Sequence, residues 1–331
     1  MIKKMTQYLL QRRCALSLLL ILMLLHPAVA QAQTRQMYAR LDKETQTLTL
    51  YYGTNYQESD YEISNLIARP LWKTSAERRE IKTVVFDESF KDARPKYCET
   101  WFWCFEALTT IEHLDYLNTS EVDDMHSMFS NCTSLETLDL SSFNTEKVTS
   151  MATMFEKSKN LRSIKLPKGF IGSSVTNLYA MFRGCESLTE LDLSSSNAEK
   201  VTNMMEMFSD CNALSILNLS GFKTRALTDM HSLFINCHSL KNLDLSGFNT
   251  EKVTNMQYLF TSCYSLESLD LSGFNTENVT SMIAMFYNCS SLRSLDLSSF
   301  NTRKVTKMQR MFDKCTNLES IDLSSFDTEN M

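Results

Sequence analysis

At 331 residues with 43% hydrophobic content the chain can bury a large core, and 33 Lys plus Arg against 39 Asp plus Glu leave a formal net charge of −6. That acidic balance excludes a nucleic-acid binder, because neutralising phosphates needs clustered Lys and Arg that are absent, and no polybasic membrane-surface patch occurs. Length alone would allow two or three compact domains, but internal repetition overrides that estimate.

The first thirty residues carry Lys3, Lys4, Arg12 and Arg13, then the apolar run CALSLLLILMLL from Cys14 to Leu25, then the small-residue exit Ala28-Val29-Ala30. This is the three-part plan of a secretory signal peptide over 1–30. The rival reading, a membrane anchor, fails on length: twelve apolar residues before His26 and Pro27 fall short of the roughly 20 that cross a bilayer. Cleavage near Gln31 or Gln33 would leave 29 Lys plus Arg against 39 Asp plus Glu, a net charge of −10. The mature chain is expected to be soluble, with no membrane insertion.

Residues 31–104 have another texture. MYARL and QTLTLYY flank Asp42-Lys43-Glu44-Thr45 and predict a hairpin, and IKTVVF at 81–86 predicts a further strand. The aromatic and cysteine cluster YCETWFWCF follows at 97–105. The region is expected to be an N-terminal cap over the first repeat's open face, with a separate binding domain as the alternative.

From 105 to 331 the chain repeats. Cysteines stand at 132, 185, 211, 237, 263, 289 and 315, with Ser158 filling the remaining slot, and five of the cysteine intervals are 26 residues. The template L-x-x-L-D-L-S-x-F-N-T-x-x-V-T-x-M-x-x-M-F-x-x-C-x-x recurs about seven times, and L-x-x-L-x-L at this period marks a leucine-rich-repeat solenoid. In each unit Leu243 and Leu245 alternate with Asp244, the period of a strand with one buried face. Val253, Met256, Leu259, Phe260, Cys263 and Leu266 then follow at the spacing of one face of a short helix, with Thr254 placed as its N-cap. The expected fold class is therefore α/β: a solenoid with a short strand plus a short helix per 26-residue repeat and a β-containing N-terminal cap. The unit LRSIKLPKGFIGSSVTNLYAMF is one residue longer, carries Lys165 in the aspartate slot with Pro167 and Gly169 after it, and predicts a local bend. Met331 falls in the slot that Val305 holds one repeat earlier, so the sequence stops in mid-repeat, as a truncated product or with a fraying last turn.

The motifs LDLSxFNT, VTxM and MFxxC, with LTTIEHLDYLNTSEVDDMHSMF ahead of them, resemble the BspA-like leucine-rich-repeat surface proteins of host-associated bacteria. The resemblance covers about 105–331, and VVFDESFKDARP is similar to that family's N-terminal region. It implies a secreted or surface-displayed solenoid, in some members an adhesin for host proteins or other cells.

Three columns of residues, and the histidines, are candidates for chemistry. The cysteine column shares a face with Met, Leu and Phe and reads first as packing, with disulfides and metal binding as the alternatives. Cys98 and Cys104 are the best candidates for a disulfide in an exported protein. Asp139, Asp192, Asp244, Asp270, Asp296 and Asp322 project from successive strands, with Lys165 and Asn218 interrupting. Neighbouring carboxylates about 4.8 Å apart repel by roughly 0.9 kcal/mol even in water, so either hydrogen bonds to flanking serines offset this, or the row forms a polar surface for a cation, glycan or protein. Asn144, Asn197, Asn249, Asn275 and Asn301 are expected to tie one repeat to the next through buried amides. His113, His126, His231 and His238 read as ordinary surface positions.

No phosphate loop, metalloprotease motif or nucleophile elbow is present. The reading is a non-enzymatic, exported, monomeric binding protein with no cofactor and no metal, whose partner is a host or bacterial surface protein or glycan. Its specificity is expected at outward variable positions such as Glu190, Ile216, Asn242 and Ser268. The alternative is a structural or spacer array with no specific ligand.

Overall fold

The structure, a computed structural model, describes residues 34–63, 75–327 and 329. The signal-peptide reading of 1–30 and the slot of Met331 lie outside them.

The N-terminal region opens with the hairpin β1 (Gln36–Asp42) and β2 (Thr47–Gly53), paired antiparallel. Asp42 Oδ1 shapes its turn by accepting the N–H groups of Glu44 and Thr45. β3 (Tyr61–Ile63) adds to the outer side of β1, and after the short helix α1 (Ser75–Glu80), β4 (Thr83–Phe86) lies parallel to β2. β5 (Thr110–Glu112) continues the parallel run, giving a five-stranded sheet in the order β3-β1-β2-β4-β5. Leu48, Leu50, Val84, Phe86 and Phe90 pack beneath it with no exposure. The first repeat strand thus joins the N-terminal sheet, so the two regions share one core.

The repeats form a leucine-rich-repeat solenoid with a period of 26 residues. The strands β6 (Thr137–Asp139), β7 (Ser163–Lys165), β8 (Glu190–Asp192), β9 (Ile216–Asn218), β10 (Ser294–Asp296) and β11 (Ser320–Asp322) pair two by two, β6 with β7, β8 with β9 and β10 with β11. In the two turns between β9 and β10, Leu243, Leu245 and Leu271 still point into the core.

The second half of each unit differs from the expected short helix. Val253, Met256, Leu259, Phe260, Cys263 and Leu266 are all buried, but the backbone is a chain of tight turns. Its alternate N–H groups leave the segment altogether: those of Met256, Tyr258, Phe260 and Ser262 donate to Ser281, Ile283, Met285 and Tyr287 in the next turn. That is the period of a strand, and it removes the donors an α-helix needs. Tyr258 and Ser262 take left-handed corners at φ 56° and 60°, and every repeat has residues with positive φ at the same two positions. Each corner is uncommon for a residue with a side chain, and here the cross-turn bonds on either side hold it. Thr254 is no N-cap; its N–H donates to Thr228 of the preceding turn.

A column of parallel bridges runs along this wall through nine residues, from Tyr97 and Asp124 to Ser281 and Lys307. Its first rung places YCETWFWCF in the solenoid. Cys98 stands in the slot of Met125, Phe102 stacks on Phe129 at 5.3 Å, and the Cys98, Thr100, Phe102 and Cys104 N–H groups cross to the second turn. Behind the wall, phenylalanine rings from Phe129 through Phe155, Phe182, Phe208, Phe234, Phe260 and Phe286 to Phe312 stack at 5.2–5.9 Å with nearly parallel planes. Offset stacking of this kind adds about 0.5–1.5 kcal/mol per pair beyond area burial.

The longer unit keeps its strand and takes up its extra residue after it. Gly169 sits at φ 71° and its N–H bonds Ser195 Oγ at 3.0 Å. Gly221 is dictated by close approach, since a Cβ there would lie 1.8 Å from the Ser194 carbonyl oxygen.

Candidate binding surface

The aspartate column lies on the exposed side of the strand wall. In every case one carboxylate oxygen accepts the N–H of the serine two residues on: Asp139 from Ser141, Asp192 from Ser194, Asp244 from Ser246, Asp270 from Ser272, Asp296 from Ser298 and Asp322 from Ser324, all at 2.8–2.9 Å. Asn218 does the same for Ser220 at 3.2 Å. These bonds favour the charged form, so Asp192, Asp270 and Asp322 are held below the usual carboxylate range, first by the serine hydroxyl and then by its N–H. For Asp244 the Ser246 N–H is the larger cause. Asp139 is lowered to about 2 by Ser141 and by Lys165, whose ammonium lies 2.9 Å from its second oxygen across β6 and β7. Lys165 thus interrupts the acidic row with a counter-charge. Among the described residues no three His, Cys, Asp or Glu side chains converge as a metal site.

Glu190, Ile216, Asn242 and Ser268 fall in one column beside the aspartates, and all are exposed. Ile216 keeps 61% of its surface in solvent, the most exposed large hydrophobic side chain among the described residues.

The cysteine column turns inward. Each thiol donates to the carbonyl of a phenylalanine in the preceding turn, as Cys237 does to Phe208 at 3.1 Å and Cys263 to Phe234 at 3.2 Å. Ser158 makes the same contact to Phe129 at 2.7 Å, which explains why serine fits that slot. Burial pushes the thiols up, Cys263 to about 12, so they are poor thiolates. Cys98 and Cys104 are free: Cys98 points into the core, while Cys104 sits at a left-handed corner and is partly exposed.

The inter-repeat tie expected of the asparagine amides belongs to threonine. Asn249, Asn275 and Asn301 each use the side-chain oxygen locally, accepting the N–H two residues on, and Asn144, Asn197, Asn249 and Asn275 are exposed. It is the buried Thr224, Thr250 and Thr276 hydroxyls that grip the next turn, each bonding both the N–H and the C=O of the asparagine there. In F-N-T the asparagine shapes the corner and the threonine joins the turns. A polar side chain at a buried, repeating position was the available signal for it.

The histidines bring no nucleophile or acid together. His113 stacks on Tyr116 at 4.9 Å, His238 on Tyr264 at 4.5 Å, and His231 meets Tyr258 edge-on. Burial lowers the pKa of His238, with Asp210 opposing. On the turn wall Arg183 pairs with Glu156 of the preceding turn and Glu206 of the following one. Burial would lower its pKa, and hydrogen bonds to the two glutamates outweigh this and raise it. The strand wall itself opens between β5 and β6 into a cleft of about 610 Å³.

The repeat region matches the model of a family described as a Mycoplasma protein of unknown function, DUF285, over residues 101–215, 165–269 and 266–331. The chain belongs to the DUF285 family. The DUF285 matches fall on the residues whose repeats form the solenoid, and their start at Trp101 lies within the first turn of the bridge column. No curated protein matches the chain. Among solved structures the DUF285 chain is similar to a leucine rich cell surface protein from Faecalibacterium prausnitzii, at 18% identity and a TM-score of 0.40 over 87% of this chain and 93% of that one. It is also similar to a leucine-rich repeat protein from Bacteroides ovatus, at 16% identity and a TM-score of 0.35 over 89% and 92% of the two chains. A third, from Eubacterium ventriosum, stands at 13% identity and a TM-score of 0.36 over 89% and 95%.

Proposed function

We propose that this chain is an exported, non-enzymatic binding protein whose solenoid presents an extended surface to host proteins, glycans or other cells. The observation that carries the reading is the division of labour within each turn. Leucine, phenylalanine, cysteine and threonine columns build the frame from within, and a column of dissimilar side chains, Glu190, Ile216, Asn242 and Ser268, stands exposed where the frame makes no demand on it. An isoleucine side chain held 61% in solvent lies largely outside the frame, and on a partner surface it would be covered.

Export is supported by the basic, apolar and small-residue segments of 1–30. Among the described residues no helix is long and apolar enough to cross a membrane. Mature protein, residues 31–331, is to be tested on immobilised host matrix proteins, glycans and bacterial cells. Saturable binding that Ile216→Asp weakens is expected; absence of binding to all three would leave the spacer-array reading in its place.

A further inference from the structure

The cleft between β5 and β6 has a specific origin. β5 bonds β4 on one side and β6 bonds β7 on one side, so the two strands face each other with unpaired edges. In each later pair of bonded strands, β6–β7, β8–β9 and β10–β11, the residue after the first strand closes the wall: the N–H groups of Leu140, Leu193 and Leu297 donate to Lys165, Asn218 and Asp322 one turn on, at 2.8–3.3 Å. The first turn has His113 at that place, in a left-handed conformation at φ 57°. It also has one residue more than most turns, since Thr119 follows Ile111 by eight positions where Thr145 follows Leu138 by seven, a spacing shared by the longer unit, where Gly172 follows Ile164 by eight. The surplus is taken up in a 3-10 turn, Leu114–Tyr116, which the His113–Tyr116 ring stack braces.

The opening is wider than a bonded pair of strands. Most Cα pairs between β5 and β6 exceed 8 Å, where a bonded pair of strands lies about 4.8 Å apart and one inserted strand needs about 9.6 Å. An extended residue fills about 4.8 Å by 3.3 Å by 10 Å, roughly 160 Å³, so the cleft of about 610 Å³ holds a segment of about four residues. Its rim is acidic. Asp115 and Asp139 line it with threonines and serines, and Asp115 is exposed and forms no ion pair among the described residues. Lys165 pairs with Asp139 from one strand away, and Lys91 lies 4.1 Å from the ring of Tyr116 beside Asp115.

We propose that this cleft takes an extended, Lys- or Arg-bearing peptide segment of a partner protein as an added strand between β5 and β6, with backbone hydrogen bonds to both edges. Main-chain pairing supplies affinity in such a mode, and the carboxylates select the charge. The assignment rests on the binding-protein reading above and gives it a ligand class.

The probe is the capped peptide Thr-Lys-Thr-Lys-Thr-Lys, fluorescently labelled and titrated into mature 31–331. Saturable binding is expected, reduced at least tenfold when alternate peptide amides are N-methylated, reduced severalfold by Asp115→Asn, and lost on deletion of His113, which gives the first turn the seven-residue spacing of most later turns. Amide exchange on the unmodified protein should show peptide-dependent protection confined to 109–113 and 136–142, a readout independent of whether the deletion variant folds. Equal affinity for the N-methylated peptide, displacement by a neutral oligosaccharide, or protection elsewhere would overturn the assignment. If the peptide fails while matrix proteins, glycans or cells still bind, the cleft assignment alone falls. If nothing binds, the binding-protein reading falls with it.

Discussion

The hydroxyl of Thr250 holds both backbone polar groups of Asn275 in the next turn, donating to its carbonyl at 2.9 Å and accepting from its N–H at 2.8 Å. One side chain thereby replaces two bonds of a missing sheet ladder. Thr276 repeats the arrangement on Asn301 and Thr302 on Asp327, so the threonines form a buried column that joins turn to turn. Thr250→Val keeps the shape and strands an N–H and a C=O, at a cost of about 2 kcal/mol. Thr250→Ser retains both bonds and should cost well under half as much. Denaturation midpoints of the two variants check this. Equal losses would mean that the methyl, not the hydroxyl, matters at this position.

The cysteine column makes a second prediction, about access. Cys132, Cys185, Cys211, Cys237, Cys263 and Cys289 are buried and their thiols are raised by burial, whereas Cys104 and Cys315 are partly exposed. In native protein at pH 8 a thiol reagent should label Cys104 and Cys315 first and leave the rest until denaturant is added. Cys237→Ser should be tolerated, because a hydroxyl in that slot reaches the carbonyl of the preceding turn as Ser158 does. Rapid native labelling of Cys237 would show that the turns open locally, and that the column is not sealed.

Much of this architecture was legible because its signals are local. Leu243, Asp244 and Leu245 alternate whatever the rest of the turn does, and the recurrence of LDLS fixes the period. The second half reads as helical in the sequence because Val253, Met256, Leu259, Phe260 and Cys263 carry the spacing of a helix face. The turns bury the same residues by sending alternate N–H groups to the neighbouring repeat, and the left-handed corners fall on Tyr258 and Ser262, with no glycine to mark them. The first turn was hidden for a related reason: Cys98 replaces a methionine and Phe105 replaces the cysteine, so the column could not be traced back by residue type. Of the candidate surface, the aspartates were visible and their serine partners anticipated. The cleft was not, because no residue type marks the failure of β5 and β6 to pair.

Phe208 tests how far one turn depends on the next. Its ring stacks on Phe182 at 5.8 Å and on Phe234 at 5.6 Å, and it is fully buried. Phe208→Ala should cost about 3–5 kcal/mol through the cavity and lost transfer energy. Because each turn contacts only its neighbours, the loss should split cooperativity and not lower it uniformly. Amide exchange should quicken in the turns that hold Phe182, Phe208 and Phe234 and remain slow near β4. A single, uniformly shifted unfolding transition would argue against this nearest-neighbour behaviour.

Acid should loosen the strand wall in a predictable direction. Asp139 titrates at about 2 in the fold against an ordinary 3.8, and Asp192, Asp244, Asp270 and Asp322 are lowered too, with the serines as the leading cause. A carboxylate depressed by folding stabilises the native state fully above its unfolded value. That contribution is lost as pH falls through the folded value. The window therefore lies between about pH 4 and pH 2. Asp124 opposes the trend, since burial raises its pKa and its protonation restores stability as pH falls. Substituting Asp192, Asp244, Asp270 and Asp322 by Asn preserves the acceptor for the serine N–H, as Asn218 does for Ser220, while removing the titration. Urea midpoints measured from pH 6 to pH 2 should then fall less steeply in the quadruple variant than in the parent, because four of the lowered carboxyls no longer titrate. Parallel pH profiles would mean that the serine bonds hold neutral and charged carboxyls equally well, and that the row's charge has no part in holding the wall together.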